Sequence, residues 1–454
     1  MSKEVLNVQA SKYNFFFDSP DNTDELIAYN ARTNALAIMD TKEYEKYKNY
    51  VENGLQIDDT ELYKTLEENG FILENALNEI DLIRYSLLKH RYSTKRFGFT
   101  LVPTLECDFE CIYCYEQGVQ HGYMSEDIQQ SIINYIKQKL DHIRDLSIGW
   151  HGGEPLLALD VIENINKQAI ELCNEKGKKF SSSLITNGYN LNRETVDKLN
   201  QLNISSIQIT LDGPKDIHDK RRPARGGQPT FSKIVQNLCD CKDILPNVSV
   251  RVNVDKENVE RIQEVLTVLK SHSLENTVSV YPGYVEPTND CYDVDNILDS
   301  RYFAKIEYEF YKKLVEFGFA PNIRHRYPRR RSNVCCADND SAIVVDPEGD
   351  VYKCWNDVGR KEYKIAHVTE EDPATVQTLF RYMMYDPTED TECVECKFLP
   401  LCMGGCPRRR IDGITDRCIS YKYELSNYIK EIAIDMYNQK VKSQQEEKVK
   451  KAKI

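Results

Sequence analysis

Two groups of cysteines carry the residue types and the spacing that bind metal. The first occupies residues 107–114, where three cysteines follow a C-x3-C-x2-C spacing. Three thiolates on one short loop can hold three corners of a four-iron cluster and leave the fourth iron open to another ligand. Structural zinc needs four protein ligands, and this segment holds no fourth cysteine or histidine. The spacing therefore predicts an iron–sulfur cluster with one open iron.

The second group lies between residues 335 and 418 and holds eight of the fifteen cysteines. Its spacing is C-x12-G-x4-C, then C-x2-C-x5-C-x3-C, then a final cysteine. The group comprises Cys335, Cys336, Cys354, Cys393, Cys396, Cys402, Cys406 and Cys418. A double zinc ribbon is the alternative to iron–sulfur clusters for this group. Cys173, Cys239 and Cys241 fall in helical patterns, so we expect them in the core.

Repeated strand–helix units must position the first cysteine group. The predicted strands cover residues 97–104, 146–150, 182–186, 206–211, 248–254 and 277–282, and the predicted helices cover 125–145, 158–176, 192–202, 231–244, 257–272 and 299–318. Such alternation implies right-handed crossovers and a parallel sheet. Six units are too few for a closed eight-stranded barrel, so we predict an α/β fold with an open, partial (β/α)6 barrel. Sheets of this kind place their chemistry at the carboxyl ends of the strands.

Polar motifs follow three of the predicted strands. They are His151-Gly152-Gly153-Glu154-Pro155, Thr186-Asn187-Gly188 and Thr210-Leu211-Asp212-Gly213-Pro214. Two adjacent glycines let a backbone approach a ligand closely, and a glutamate can accept hydrogen bonds from an ammonium group. Each motif could alternatively be a turn or a helix cap. Their common position at strand ends favours a binding site beside the first cysteine group.

The 454-residue chain has room for about three domains. Strands at 13–17, 25–29, 35–38 and 71–73, with helices at 41–52, 60–69 and 78–90, predict a small α+β domain over residues 1–95. We place the barrel at 96–325 and a cysteine-rich, metal-held domain at 326–425. A helix and a charged tail over 426–454 complete the prediction.

Charge and hydrophobicity exclude several classes of partner. There are 59 basic and 72 acidic residues, a net charge of −13, which disfavours nucleic-acid binding because phosphate neutralisation needs a basic face. No run of about 18 apolar residues predicts a transmembrane helix. The first residues lack the apolar segment of a secretory signal. We therefore expect a cytoplasmic protein without a membrane partner.

The loop of residues 107–114, in this place after the first barrel strand, resembles the radical S-adenosylmethionine (radical SAM) superfamily. The resemblance implies that Cys107, Cys111 and Cys114 hold a [4Fe-4S] cluster, and that its open iron binds S-adenosylmethionine. Reductive cleavage then gives a 5′-deoxyadenosyl radical, which removes a hydrogen atom from a substrate. The resemblance also implies cofactor contacts from Tyr113, Gly152, Gly153, Glu154, Asn187, Thr210 and Arg222.

The second cysteine group resembles the SPASM extension, which carries two auxiliary [4Fe-4S] clusters, making three clusters in all. The resemblance implies interleaved ligand sets. One cluster would take Cys393, Cys396, Cys402 and Cys418. The other would take Cys354, Cys406 and one or both of Cys335 and Cys336, with Cys291 as a distant alternative. If only one of the adjacent pair binds, this cluster has an open iron that could bind a substrate thiolate.

SPASM enzymes mostly modify peptides or proteins, and two features of this chain bear on which reaction it performs. The sulfatase-maturating branch is similar but carries an aspartate base directly after the cysteine that matches Cys354. Here Trp355 follows, whose indole cannot accept a proton, and Asp357 would be a displaced base. The N-terminal domain resembles the PqqD-like domain that binds a leader peptide as an added strand. A generic cap on the barrel is the alternative.

These resemblances predict a peptide maturase that forms thioether cross-links between cysteine thiols and acceptor carbons of a ribosomally made precursor peptide. Its partners would be that precursor with its leader and an electron donor such as flavodoxin or ferredoxin. Alternatives are carbon–carbon or carbon–oxygen cross-linking, a sulfatase-type formylglycine maturase, and a non-enzymatic metal-stabilised binding module. The basic runs 329–331 and 408–410 are expected on the solvated surface, or as docking points for an acidic partner.

Overall fold

The computed structural model describes residues 8–119, 122–286, 292–370 and 377–451. Its N-terminal part contains a three-stranded antiparallel sheet in the order β2-β3-β4 and a two-stranded pairing of β1 with β5. The strands are β1 (Val8–Ala10), β2 (Asn14–Asp18), β3 (Glu25–Asn30), β4 (Ala35–Asp40) and β5 (Ile72–Glu74), and the helices are α1 (Thr41–Asn53), α2 (Thr60–Glu68) and α3 (Glu79–Arg91). The sequence predicted all of these elements within about two residues, except β1.

The central part alternates strands and helices as predicted, with one additional short helix. Its strands are β6 (Arg96–Leu101), β7 (Asp145–Trp150), β8 (Lys179–Ile185), β9 (Ile204–Thr210), β10 (Asn247–Val254) and β11 (Val278–Tyr284). Its helices are α4 (Glu126–Leu140), α5 (Leu159–Glu175), α6 (Arg193–Gln201), α7 (Lys215–Arg221), α8 (Phe231–Cys241), α9 (Glu264–Ser271) and α10 (Ser300–Phe317). The six strands are parallel and adjacent in chain order. The α/β class with a mostly parallel central sheet is therefore confirmed.

The C-terminal part continues the same sheet. Its strands are β12 (Ala342–Val345), β13 (Asp350–Tyr352) and β14 (Ala366–His367), and its helices are α11 (Gln377–Met383), α12 (Thr391–Val394), α13 (Leu399–Cys402), α14 (Pro407–Ile411) and α15 (Tyr421–Lys451). Strand β12 pairs parallel to β6, so the sheet runs through the predicted domain boundary at 325. The cysteine-rich segment is therefore joined to the barrel by backbone hydrogen bonds as well as by packing.

Alternation of side chains gives the central sheet two different faces. On β6, Phe97, Phe99 and Leu101 are buried in the main core beneath the helices, whereas the intervening Gly98 and Thr100 face the other way. The helix-free face is lined by small residues on successive strands, including Ser147, Gly149, Ser181 and Ser183, around a cavity of about 370 Å³. Because these side chains are short, this face stays open instead of filling as a closed barrel does.

A second core joins the N-terminal sheet to the cysteine-rich segment. It contains Tyr29 from β3, Leu87 from α3, Leu401 from α13 and Ile429 from α15. The turn between β3 and β4 is fixed as well, because the Asn34 amide donates to the Pro328 carbonyl at 2.7 Å. No helix in the described part of the chain is long and apolar enough to cross a bilayer.

Candidate active site

The first cysteine loop leaves the carboxyl end of β6 and is held by its backbone. Glu110 N–H donates to the Pro223 carbonyl at 2.9 Å, and Arg225 N–H donates to the Asp108 carbonyl at 2.7 Å. The Asp108 carboxylate accepts a hydrogen bond from the Asn187 side-chain amide at 2.6 Å. Asn187, predicted as a cofactor contact, therefore ties the loop to the end of β8.

The three thiols of this loop lie together in a low-dielectric environment. The charge of Cys111 acts on both Cys107 and Cys114. Burial raises the pKa of Cys107 and of Cys111, and raises the pKa of Cys114 to about 12. Thiolates here need a positive partner, and the ferrous and ferric ions of a cluster would supply that charge.

The two glycines of the second motif pack against the start of the cysteine loop. A Cβ on Gly152 would lie 2.6 Å from the Thr104 carbonyl oxygen, and a Cβ on Gly153 would lie 2.3 Å from the Glu106 carbonyl oxygen. Glu154 N–H also donates to the Glu106 carbonyl at 2.8 Å. The structure therefore gives these glycines a second reason beside the predicted close approach to a ligand: the backbone of the neighbouring strand–loop connection lies against each of them.

Glu154 is a fully buried carboxylate surrounded by donors. It accepts hydrogen bonds from Leu156 N–H at 3.0 Å, the Thr186 hydroxyl at 2.7 Å and Asn187 N–H at 2.7 Å. Burial raises the pKa of Glu154 to about 7. No ion pair between Glu154 and a basic residue of the described segments is present, so the site lacks the cation that usually accompanies a buried carboxylate.

Arg222 is a cation near Cys111 that likewise lacks an oppositely charged partner in the described part of the chain. Its guanidinium donates to the Tyr113 hydroxyl at 2.9 Å, and its Nε is buried without a hydrogen-bond partner. Within the described residues no carboxylate lies within ion-pair distance of it; its positive charge acts chiefly on Cys111. The Tyr113 hydroxyl in turn donates to Asp212 at 2.5 Å and accepts from the Asn253 amide at 2.9 Å.

Together these groups fit an amino-acid zwitterion beside the three thiols. Glu154 offers an unmatched negative charge next to Cys107, and Arg222 offers an unmatched positive charge next to Cys111. The methionine part of S-adenosylmethionine carries an ammonium and a carboxylate, which these two residues would hold. Thr210 lies buried at the end of β9 on the same edge of the sheet.

An aromatic group that the sequence did not reveal lies at the same edge. The Tyr115 hydroxyl and His151 Nε2 share a hydrogen bond, and the His151 ring lies 5.9 Å from the Trp355 ring, measured between centroids. His151 Nδ1 is buried without a partner. Burial and then the nearby Arg251 charge lower the pKa of His151 to about 4, so its imidazole is neutral at pH 7.

One predicted auxiliary set comes together in the structure. The Sγ atoms of Cys335 and Cys336 lie 3.8 Å apart. Cys335 acts electrostatically on both Cys354 and Cys406, and Cys336 is a neighbour of Cys354. Cys336 also lines the cavity on the helix-free face of the sheet. This set therefore faces the interior of the barrel. Cys291 lies outside the described residues.

The other auxiliary set also comes together. Its four cysteines line a cavity of about 50 Å³ and are Cys393, Cys396, Cys402 and Cys418. Arg417 and Lys422 line the same cavity, and Lys422 Nζ donates to the Cys418 sulfur at 3.1 Å. Among the described side chains, no group of three or more His, Cys, Asp or Glu is placed to hold a single metal ion. Four-iron clusters instead spread their thiolates over separate iron corners.

The two basic runs differ in burial, and the expected position on the solvated surface is wrong for 408–410. Arg329, Arg330 and Arg331 are exposed, as expected of a solvated run. In contrast Arg408 and Arg409 are 6% and 9% exposed, and the Arg410 side chain is 5% exposed. The charge pattern alone could not separate the two runs, because burial of α14 depends on packing against distant segments. Cys173 and Cys241 are buried as predicted, and Cys239 is half-buried.

Comparison with known proteins identifies the family. The radical SAM superfamily model matches residues 101–269, which include the first cysteine loop and the glycine motif. Residues 101–269 therefore form a radical SAM domain, and the chain is a radical SAM enzyme, for which a [4Fe-4S] cluster and S-adenosylmethionine are the expected cofactors.

Several relatives extend beyond the matched segment. A cysteine-type anaerobic sulfatase-maturating enzyme of Clostridium perfringens is 24% identical over 361 residues, covering 71% of this chain and 91% of the relative. The radical SAM cyclopropyl synthase TigE of Paramaledivibacter caminithermalis is 21% identical over 368 residues, covering 75% of this chain and 74% of the relative.

Two solved structures share the fold of this radical SAM enzyme. Native anSMEcpe with bound AdoMet and the Cp18Cys peptide has a TM-score of 0.58 at 20% identity, covering 74% of this chain and 98% of that one. Streptococcus suis SuiB bound to precursor peptide SuiA has a TM-score of 0.53 at 14% identity, covering 91% of this chain and 98% of that one. The SuiB likeness thus spans nearly the whole length of both chains.

Proposed function

We propose that this radical SAM enzyme is a peptide maturase that forms thioether cross-links in a ribosomally made precursor. The observation that carries the proposal is Cys336, which belongs to an auxiliary cysteine set and also lines the barrel cavity of about 370 Å³. A substrate segment that reached from the carboxyl ends of the strands into that cavity would bring a cysteine thiol to this set. The known peptide-bound relative SuiB, similar over 91% of the chain, favours a precursor peptide as the occupant.

The adjacent cysteines support an open iron at this site. Their sulfurs, 3.8 Å apart, are in contact, whereas thiolates on different irons of one cluster diverge from each other. Cys335 interacts with both other members of the set, so we assign the iron corner to Cys335. Cys336 then remains at the cavity, next to a position that a substrate thiolate could fill. The ligand set would be Cys335, Cys354 and Cys406.

The bound cofactors would supply hydrogen-atom abstraction by the 5′-deoxyadenosyl radical and acceptance of one electron by an auxiliary cluster. The chain's own residues would bind and orient the reactants. Glu154 and Arg222 would hold the two charged ends of the methionine part of S-adenosylmethionine. The neutral His151, fixed by Tyr115 and packed on Trp355, would offer its free Nδ1 to a polar group of the substrate.

This chain lacks the aspartate base that the sulfatase-maturating branch carries directly after the cysteine matching Cys354. Trp355 follows Cys354, and the displaced candidate Asp357 is fully buried. Its carboxylate is paired with Arg408 and accepts a hydrogen bond from the Tyr382 hydroxyl at 2.7 Å. Because Asp357 already has a cationic partner in Arg408, which Glu154 lacks, its charge is matched in the interior and it is not a free base for a substrate. These contacts favour the cross-linking function over formylglycine formation.

We further propose that the N-terminal sheet binds the leader peptide at β4. Strand β4 pairs with β3 on one side, and its other edge has no strand partner among the described residues. The opposite edge, β2, is approached by Lys397, which donates to the Asn14 carbonyl at 3.3 Å. An extended leader can therefore add a strand at β4, where Ile38 is 42% exposed.

The maturase activity is tested with anaerobically reconstituted enzyme, a reductant, S-adenosylmethionine and short precursor peptides encoded beside the gene. Each thioether should remove two hydrogens from the peptide mass and protect one cysteine from alkylation. The Cys107→Ala variant is the control without the radical cluster. Loss of two hydrogens with every cysteine still open to alkylation would indicate carbon–carbon or carbon–oxygen cross-linking instead. An unchanged peptide mass with active enzyme would contradict peptide cross-linking.

The leader site is tested by fluorescence anisotropy with labelled leader peptide. Ile38→Lys should weaken binding at least tenfold, because burying an isoleucine side chain is worth about 1.5–3 kcal/mol. Val51→Lys is the matched control, since Val51 is 43% exposed in the same domain but belongs to helix α1 and not to the edge strand. Equal loss of affinity in both variants would place the leader elsewhere.

A further inference from the structure

The arginines of α14 are buried, although arginine rarely is unless it is paired. Arg408 does have carboxylate partners, Asp357 and Asp412. Arg410 shares Asp338, at 2.8 Å, and stacks 3.7 Å from the centre of the Tyr385 ring. Arg409 has no carboxylate within ion-pair distance among the described residues and lies over the Tyr284 ring, 5.1 Å from its centre.

Hydrogen-bond donors of these guanidinium groups remain unused. Arg409 Nε is buried without a partner, and so are Nε and Nη1 of Arg410. Arg91, on α3, is 2% exposed; it donates through Nη1 to two backbone carbonyls, and its Nε and Nη2 have no partner. A buried donor without an acceptor is unfavourable, and more so when it is charged. Five such atoms in one region indicate that an anion belongs there.

The three arginines are linked to the set formed by Cys335, Cys336, Cys354 and Cys406 through α14 and through Asp338. Cys406 directly precedes α14, and its sulfur accepts the backbone N–H of Arg409. Asp338, the partner of Arg410, is also within electrostatic range of Arg91 and of Cys335. The acidic groups that act on this set are few, mainly Asp338, Asp357 and Glu286. Asp357 is matched by Arg408 and Asp338 by Arg410, and the buried Lys353 also acts on Cys336, so positive charge is in excess around these cysteines.

We propose that Arg91, Arg409 and Arg410 are the charge partners of the auxiliary iron–sulfur cluster on this cysteine set and raise its reduction potential. The inference rests on the proposed function, which assigns a cluster to these cysteines. A thiolate-ligated cluster is an anion, and its net charge and hydrogen bonds tune its potential. Fixed positive charge in a dry site stabilises the more reduced, more negative state. The cluster that receives the substrate electron is thereby made the better acceptor.

The test measures midpoint potentials of the full-length reconstituted enzyme by redox titration monitored with EPR, without substrate. The variants are Arg409→Gln, Arg410→Gln and the charge-conserving Arg410→Lys. Arg330→Gln is the matched control, taken from the exposed arginine run. Iron and sulfide are counted for every protein. Arg409→Gln serves where Arg410→Gln fails to fold, because removing Arg409 leaves no carboxylate unpaired.

At a fixed potential, each glutamine variant should reduce the ratio of reduced to oxidised cluster at least tenfold, which is a midpoint lower by about 59 mV for one electron. Arg410→Lys should recover most of that change, and Arg330→Gln should show none. If Arg409→Gln and Arg410→Gln kept their full iron content and an unchanged midpoint potential, this inference would be overturned and the proposed function would stand. Wild-type enzyme with only about four irons would overturn the auxiliary cluster itself, and with it the proposed function.

Discussion

Substitution of Gly153 separates two explanations of the glycine motif. A Cβ at Gly153 would lie 2.3 Å from the Glu106 carbonyl oxygen and 2.7 Å from its carbon. Ordinary contact begins near 3.5 Å, so the two backbone segments must separate by about 1 Å. Gly153 does not have a positive φ, so an alanine there causes no backbone strain. The effect of Gly153→Ala is therefore steric. Overpacking of this kind costs about 1–3 kcal/mol.

The consequence falls on the cluster because Glu106 directly precedes Cys107. Metal ligands tolerate errors of about 0.2 Å, much less than the expected displacement. Gly153→Ala should therefore lose the first cluster, and the iron count should fall from about twelve to about eight per chain if three four-iron clusters are present. Cleavage of S-adenosylmethionine should disappear with it. The assay is iron and sulfide analysis after anaerobic reconstitution, with cleavage followed by chromatography.

Gly149→Ala is the matched control on the strand that leads into the motif. A Cβ there would lie 3.5 Å from the Ser183 hydroxyl, an ordinary contact, and this variant should keep its iron and its cleavage activity. If Gly153→Ala retained all its iron but bound S-adenosylmethionine weakly, close approach to the ligand would be the reason for the glycine. That result would refute the packing argument.

Three further outcomes follow from the site. Glu154→Gln should weaken S-adenosylmethionine binding by about 10- to 100-fold with iron unchanged, because a hydrogen bond to a charged group is worth about 1.5–3 kcal/mol. Equilibrium dialysis measures this affinity. An affinity equal to that of the wild type would show that Glu154 does not belong to the ligand site. Burial raises the pKa of Glu154 from 4.5 to about 7, so the unfolded chain loses this proton first. The stability of the ligand-free protein should therefore fall by about 3 kcal/mol as pH rises from 4.5 to 7, and thermal unfolding of Glu154→Gln should lack that part of the decline. Cys335→Ala should lose about four irons and Cys336→Ala none, and the reverse pattern in iron analysis would exchange the two assignments.

Much of the site was predictable because its signals are local in the sequence. Cysteine spacing fixed which thiols share a cluster loop, and the structure brings both predicted auxiliary sets together. The strand–helix alternation predicted the central sheet because each apolar stripe must be buried against a neighbour. Boundaries were less certain where periodicity was weak. The helix predicted at 257–272 begins only at Glu264.

Other features depend on contacts between distant segments and have no local signal. The two runs of three arginines have the same sequence, yet the arginines of α14 are buried and those of 329–331 are exposed. His151 meets Trp355 across about 200 positions only because β7 and the cysteine-rich segment end at the same edge of the sheet. The sequence by itself indicated the radical SAM chemistry, because the C-x3-C-x2-C loop and the motifs at the strand ends carry the resemblance to that superfamily. The tertiary structure decided which charges are buried and unmatched, because burial is set by the packing of the whole chain.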